Sequence, residues 1–193
     1  MDIFYFVIQQ TMYFSIPLLI VALGGMFSER SGVVNIALEG IMIIGAFSGI
    51  LFINIFPGVL PGQPVLLLAI LVAALSGVVV SLTHAYAAVN MKADQVISGT
   101  AINMFAPAFA VYVARTIRSV QQIPFINQFH IEKVPLLGDI PFVGDILFQN
   151  TYLTTYLGFV ILAVSTVVLN KTRSGRRLRA CGEHPQAADS VGI

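Results

Sequence analysis

Five long apolar stretches, separated by short polar or proline-rich breaks, dominate this sequence. They cover residues 3–27, 33–56, 65–89, 96–114 and 151–169. A helix needs about 20 predominantly apolar residues to cross a bilayer, and each stretch has roughly that length. Only 10% of the 193 residues are charged, so little charge is available to cover a water-facing surface. The sequence therefore predicts an all-α integral membrane protein with about five transmembrane helices.

The second and fourth of these spans contain residues that do not suit a simple membrane helix. Asn35 and Glu39 lie in the second span, and Asn103 and Pro107 lie in the fourth. Irregular backbone at membrane depth must be buried in protein or line a cavity, and interrupted helices often mark the substrate region of a transporter. We therefore expect these two spans to be broken or kinked, with the kink of the fourth at Pro107.

Asn35, Glu39 and Asn103 are the candidate substrate-pathway residues. A carboxylate inside a span is costly, so Glu39 should face the bundle interior, a cavity or a partner. Asn35 lies four residues before Glu39, and on a continuous helix the two would share one face. Two interpretations stay open. The three side chains line a substrate path at the edge of a polar cavity, or they tie helices together.

The placement of basic residues predicts the orientation. With five crossings, seven of the ten Lys and Arg residues fall on one side of the membrane, and the positive-inside rule makes that side cytoplasmic. The seven are Arg30, Lys92, Lys171, Arg173, Arg176, Arg177 and Arg179. The N-terminus is then outside, and residues 115–150 form an external membrane-surface loop with a short interfacial helix or a hairpin.

Residues 171–193 form a polar, basic tail on the predicted cytoplasmic side, after the transmembrane part at residues 1–170. Pro185 suits the first position of a helix, so we expect a turn followed by a short helix. One interpretation is a segment that docks on another protein. The other is a frayed terminus whose basic residues bind anionic lipid.

Sequence signals for enzymatic chemistry are missing. There is no phosphate-binding loop of the GxxxxGK[ST] type and no Gly-x-Ser-x-Gly elbow. The three histidines lie in three separate regions, and the single cysteine, Cys181, excludes a disulfide framework. The net charge of +1 gives no indication of nucleic-acid binding. We predict no catalytic residue, no metal site and no cofactor.

Three segments of the sequence, in this order, resemble one known family. Residues 28–40 (SERSGVVNIALEG) resemble the signature of bacterial ABC importer permeases of the simple-sugar, nucleoside and branched-chain amino-acid group. The form of this segment is most similar to the nucleoside and simple-sugar branch. Residues 95–103 are similar to the second broken segment of these permeases, and residues 182–193 to their cytoplasmic coupling loop.

The resemblance implies a permease subunit of an ATP-driven importer for nucleosides or simple sugars in the bacterial cell (inner) membrane. The alternatives are branched-chain amino-acid uptake and a non-transporting membrane scaffold. Implied partners are a separate ATP-binding cassette ATPase subunit that hydrolyses ATP, a second permease subunit, an extracellular or periplasmic substrate-binding protein, and membrane lipid. The implied ATPase-coupling residues are Gly182, Glu183, Pro185, Ala187, Ala188 and Gly192.

Members of this family continue for several more spans past the coupling loop. We therefore expect the 193-residue chain to be a half-permease with an incomplete coupling loop: a fragment, a truncated product or one part of a split permease. The sequence does not identify the substrate.

Overall fold

The computed structural model describes residues 2–56, 62–119, 121–123, 129–133, 144 and 148–192. These ranges contain seven helices and two strands. The helices are α1 (Asp2–Arg30), α2 (Leu38–Ile55), α3 (Gln63–Val89), α4 (Gln95–Arg118), α5 (Leu153–Lys171), α6 (Arg173–Glu183) and α7 (Pro185–Ser190). The strands are β1 (His130–Lys133) and β2 (Gln149–Tyr152).

Helices α1 to α5 are long and apolar enough to cross a membrane, so the predicted all-α fold with five spans is confirmed. Helices α1, α3 and α4 extend a few residues beyond the predicted spans, whereas α2 begins later than predicted. Helix α4 runs without a break and contains Pro107. The expected interruption therefore takes the form of a late start in α2, and a kink at Pro107 stays a prediction.

The late start of α2 has a local cause. The Oδ1 atom of Asn35 accepts a hydrogen bond from the backbone N–H of Ala37 at 3.0 Å. Such a bond from an Asn to the backbone two residues on competes with helix formation. Residues 33–37, called the lead-in segment below, therefore precede the helix. The prediction that Asn35 and Glu39 share a face of one helix is wrong.

The chain divides into two compact units. Unit 1 comprises Met1–Val33 and Gln128–Ile193, and unit 2 comprises Val34–Asn127. The predicted cytoplasmic tail thus belongs to the same unit as α1 and α5.

In unit 2, α2 packs antiparallel to α3 through small residues. A Cβ atom at Gly45 would lie 3.2 Å from the carbonyl oxygen of Ala73, and one at Gly49 would lie 3.1 Å from that of Ala69. Glycines four residues apart let two membrane helices approach this closely. The Gly45–Gly49 pair therefore serves the close packing of α2 on α3.

Helix α4 runs parallel to α2 and antiparallel to α3. The turn before α4 is closed by Asp94, whose carboxylate accepts hydrogen bonds from the N–H groups of Val96 and Ile97 at 2.8 and 3.1 Å. This arrangement is a helix N-cap. The alternating directions of α2, α3 and α4 agree with three successive crossings.

In unit 1, α1 and α5 run parallel to each other. The side-chain amide of Gln9 donates to the backbone carbonyl of Gln149 at 3.2 Å, and further along the pair a Cβ at Gly158 would lie 2.5 Å from Cγ2 of Ile16. If two spanning helices run in the same direction, their C-terminal ends lie on the same side of the membrane. The chain must then cross the membrane an even number of times between these ends, and the five-span topology predicts four crossings, by α2, α3, α4 and α5. Which end faces the cytoplasm stays a prediction.

The strands β1 and β2 pair antiparallel, with His130 opposite Tyr152 and Lys133 opposite Gln149. Of the two alternatives for residues 115–150, the described part thus contains a strand pair. The ring of Tyr152 lies edge-on to that of Tyr13 in α1, with the ring centroids 5.0 Å apart, so the strand pair rests on α1.

A sharp turn at Thr172 folds α6 back against the end of α5. The Thr172 hydroxyl donates to the carbonyl of Val168 at 2.6 Å and accepts from the N–H of Gly175 at 3.2 Å. It thereby closes one helix and caps the next. Gly175 is needed because a Cβ there would overlap the Val168 carbonyl and lie 2.6 Å from Cα of Leu169.

We expect Gly175→Ala to lower the free energy of unfolding by about 1–3 kcal/mol, because the added methyl group meets backbone that cannot move independently. The control is Gly77→Ala in α3, where the new Cβ would lie 3.5 Å from Cγ2 of Ile41, an ordinary contact. Thermal unfolding of both variants in detergent measures the difference. Equal midpoints would contradict this account of the turn.

Candidate substrate pathway and coupling segment

The start of α2 has no side-chain cap of its own. Its N-cap residue is Ala37, which forms no side-chain hydrogen bond to the helix. The first N–H groups of a helix need partners from elsewhere. Asn103 in α4 supplies one, since its Oδ1 accepts from the N–H of Gly40 at 2.7 Å. Its Nδ2 donates to the carbonyl of Ile36, also at 2.7 Å. Asn103 therefore caps α2 from a neighbouring helix and holds the lead-in segment.

Two glycines make this contact possible. A Cβ at Gly40 would lie 2.8 Å from the carbonyl oxygen of Ile102, and one at Gly99 would lie 3.1 Å from the backbone nitrogen of Ala37. Both glycines are buried. Because the opposing atoms belong to the backbone, a side chain at either position would push α4 away from the lead-in segment.

Glu39 occupies the first turn of α2 and is exposed. Its carboxylate has no hydrogen bond or ion pair with any residue that the structure describes. A negative charge near a helix N-terminus is stabilised by the helix dipole, which explains how an unpaired carboxylate is tolerated there. Glu39 precedes Gly40, the residue that Asn103 holds.

The structure thus brings the three predicted pathway residues to one end of α2, each in a different role. Asn35 shapes the lead-in segment, Asn103 ties that segment to α4, and the Glu39 carboxylate is exposed and unpaired among the described residues. For Asn103 the geometry is that of the helix-tying interpretation. A polar cavity beside these residues stays a prediction.

The other end of α2 is held by a residue that the sequence reasoning missed. The Nη2 atom of Arg118 donates to the carbonyl of Asn54 at 2.9 Å, and a cation suits the C-terminal end of a helix. Arg118 had been assigned to the external loop. Its separation from Asn54 is 64 residues, against 63 between Gly40 and Asn103. Two helices that run parallel keep a nearly constant sequence separation between the residues in contact. Once the Gly40–Asn103 contact is known, this separation therefore predicts a contact near Asn54 and Arg118.

His84 is buried, and its Nδ1 lies 3.0 Å from the hydroxyl oxygen of Ser98. This ring nitrogen therefore has a hydrogen-bond partner within the chain. The bond joins α3 to α4 near the start of α4.

The predicted short helix at Pro185 is confirmed, with the proline in its first turn. The segment before it is a second helix, α6, which was expected to be part of a polar tail with a turn. The available signal was Thr172, a good N-cap residue directly after the fifth span.

The candidate coupling residues differ in exposure. A Cβ at Gly182 would overlap the carbonyl of Arg30 and lie 3.0 Å from the nitrogen of Gly32, so this half-buried glycine packs against the end of α1. Ala188 is only 4% exposed. Gly182 and Ala188 therefore pack, in part or wholly, against their own chain. The exposed candidates are Glu183, Pro185, Ala187 and Gly192.

Residues 7–193 match the family described as branched-chain amino acid transport system / permease component. The chain belongs to this family, whose members are transport subunits rather than enzymes, and it is a multi-pass membrane protein.

Two relatives narrow the comparison. The chain is 45% identical over 188 residues to the guanosine ABC transporter permease protein NupQ of Bacillus subtilis (strain 168). It is 43% identical over 187 residues to the nucleoside ABC transporter permease protein NupC of Lactococcus lactis subsp. cremoris (strain MG1363). Each match covers 97% of this chain and 59% of the relative. The chain therefore spans about three-fifths of the length of these curated relatives. No solved structure matches the chain. The predicted resemblance to this group of ABC permeases is confirmed.

We expect Asn103→Ala to lower the free energy of unfolding by about 2–4 kcal/mol, since it leaves the Gly40 N–H and the Ile36 carbonyl without their partner. Asn103→Asp should recover part of this loss, because an ionised carboxylate accepts from Gly40 but cannot donate to Ile36.

The control is Thr100→Ala on the same helix, since the Thr100 hydroxyl bonds only to carbonyls of its own helix among the described residues. Thermal unfolding in detergent compares the three variants. An Asn103→Ala protein as stable as the Thr100→Ala protein would contradict the capping role.

Proposed function

We propose that the chain forms part of the transmembrane permease subunit of an ATP-driven nucleoside importer. The observation that carries this proposal is the 45% identity, over 97% of the chain, to a permease named for guanosine transport. The second relative, named for nucleosides, points to the same substrate class. Simple sugars and branched-chain amino acids are the competing substrates.

In this proposal the Glu39 carboxylate contacts the substrate, and Asn103 positions Glu39 by holding the backbone of the next residue. A nucleoside carries ribose hydroxyls and base N–H groups, which are donors that a carboxylate accepts strongly. Glu39 is exposed and unpaired among the described residues, and the next residue is fixed by the Asn103 hydrogen bond at 2.7 Å. The substrate would therefore meet a carboxylate whose backbone is already held, which lowers the ordering cost of binding.

The proposed orientation predicts at which end of the membrane-spanning helices Glu39 lies. Helices α2 and α4 are parallel, so the start of α2 lies at the same end of unit 2 as Lys92, which precedes α4. With Lys92 on the cytoplasmic side, Glu39 belongs to the cytoplasmic end of the pathway. We infer that it receives the substrate late in import.

The partners follow from the same proposal. An ATPase subunit would dock on the exposed side of α7 and on the last residue of α6. The contact residues would be Pro185 and Ala187 in α7 and Glu183 in α6. Because Gly182 packs on the backbone of α1 and Thr172 links α6 to α5, a push on α7 would reach the ends of two spanning helices. A second permease subunit and a substrate-binding protein would complete the importer.

We expect Glu39→Ala to reduce nucleoside uptake by the intact permease without lowering its thermal stability. A lost hydrogen bond to a charged group weakens binding by roughly tenfold to a hundredfold. Uptake of radiolabelled guanosine, normalised to the amount of permease in the membrane, measures the effect against Thr100→Ala. Unchanged uptake would remove Glu39 from the pathway.

Coupling is tested by two neighbouring substitutions in the intact permease. Ala187→Trp places a bulky side chain on the exposed side of α7, so we expect unchanged thermal stability and loss of the ATPase subunit on co-purification. Ala188→Trp alters a buried position, so we expect lower thermal stability, since overpacking strains the chain itself.

Retention of the ATPase by the Ala187→Trp protein would contradict docking on this side of α7. An Ala188→Trp protein as stable as the unmodified one would contradict the burial of this residue within the chain.

A further inference from the structure

A cavity of about 130 Å³ lies where the C-terminal ends of α1 and α5 meet α6. It is lined by Met26, Arg30, Thr166, Leu169, Asn170 and Arg179. Two of these six side chains carry a positive charge, and none carries a negative charge.

Backbone packing brings the two arginines together. Gly182 fits against the carbonyl of Arg30, which seats the end of α6 on the end of α1. Arg179 lies about one turn before Gly182 and therefore on the same side of α6. The cap at Thr172 fixes the start of α6 against α5. The cavity is thus built by close contacts that leave little freedom in the backbone.

The charges in this cavity are not neutralised within the described part of the chain. Neither the Arg30 nor the Arg179 side chain has a hydrogen bond or ion pair there. The hydroxyl of Thr166 already donates to the carbonyl of Leu162 at 2.8 Å, so the donors facing the cavity are the two guanidinium groups and the Asn170 amide. Two like charges in one small cavity repel each other, and an anion between them removes the repulsion.

We propose that this cavity binds the phosphate group of an anionic phospholipid. The guanidinium fork matches the geometry of phosphate oxygens and can hold two of them at once. Met26 and Leu169 give the same cavity an apolar wall, which suits the glycerol and first acyl carbons of a lipid better than free phosphate. The cavity lies at the end of two spanning helices, the level at which lipid headgroups are found.

The site is independent of the pathway proposed above. It lies in unit 1, whereas Asn35, Glu39 and Asn103 lie in unit 2. Its function would be to fasten the turn between α5 and α6, and thereby α7, to the membrane surface.

Thermal unfolding of the full chain in nonionic detergent, titrated with phosphatidylglycerol, tests the proposal. Phosphatidylcholine and inorganic phosphate are titrated in parallel. We expect phosphatidylglycerol to raise the unfolding temperature more than either of the other two. Arg30→Gln/Arg179→Gln should weaken the apparent affinity for phosphatidylglycerol by about tenfold or more.

The matched control is Arg173→Gln/Arg177→Gln, which removes the same charge from exposed positions of α6 that do not line the cavity. It should change the affinity much less. If the first double variant does not fold, Arg30→Lys/Arg179→Lys replaces it. That variant keeps the charge but loses the planar fork, and it should still bind more weakly than the unmodified chain.

Four outcomes would overturn the proposal. These are equal weakening by both double variants, equal stabilisation by phosphatidylcholine, stabilisation by inorganic phosphate that matches phosphatidylglycerol, and unchanged lipid affinity in the Arg30→Gln/Arg179→Gln protein. If that protein also lost the ATPase subunit while its lipid affinity was unchanged, the anion would be an acidic side chain of the partner.

Discussion

The two hydrogen bonds of the Asn103 amide fasten the start of α2 to α4, and the packing of unit 2 depends on that contact. They hold the carbonyl of Ile36 and the N–H of Gly40 at 2.7 Å each. With the first turn of α2 fixed, its glycine pair faces α3, and its last turn comes within reach of Arg118. A shift of one residue would turn the glycines away from α3 by about 100°. One amide thus fixes the register of α2 against α4.

Much of the fold follows from the sequence because lipid imposes a simple requirement on length and polarity. The five spans are local patterns of length and polarity, and they were predicted. The start of α2 was not, although Asn35 is the residue responsible. A short polar side chain can bond to its own backbone or join a helix. Here the non-helical conformation around Asn35 is accompanied by hydrogen bonds from Asn103, which lies 63 to 67 residues away from Gly40 and Ile36. The spacing of nearby residues does not reveal so distant a partner.

The candidate sites show the same limit. Sequence reasoning identified Glu39 and Asn103 because a polar group is costly inside a membrane, but cost does not distinguish a residue that waits for a ligand from one that ties helices. In the structure Asn103 joins two helices through its hydrogen bonds, whereas the Glu39 carboxylate has none among the described residues. In the tail, Ala187 and Ala188 look equivalent in the sequence, yet Ala188 is buried and Ala187 is exposed. Consecutive helical residues are rotated by about 100° around the axis, so the two side chains lie on different sides of α7.

The division into two units has a consequence for synthesis on the ribosome. Unit 2 is continuous in sequence, so all its helices are available once Asn127 has been made. Unit 1 is split. Helix α1 is made before unit 2, yet Gln9 and its partner Gln149 are 140 residues apart. During translation α1 is therefore inserted in the membrane before its native partner α5 has been made. The whole of unit 2 is inserted between the two helices. The apolar side chains of α1 that remain exposed, such as Phe4, Phe14 and Leu18, are compatible with this interval because apolar groups are stable in contact with lipid.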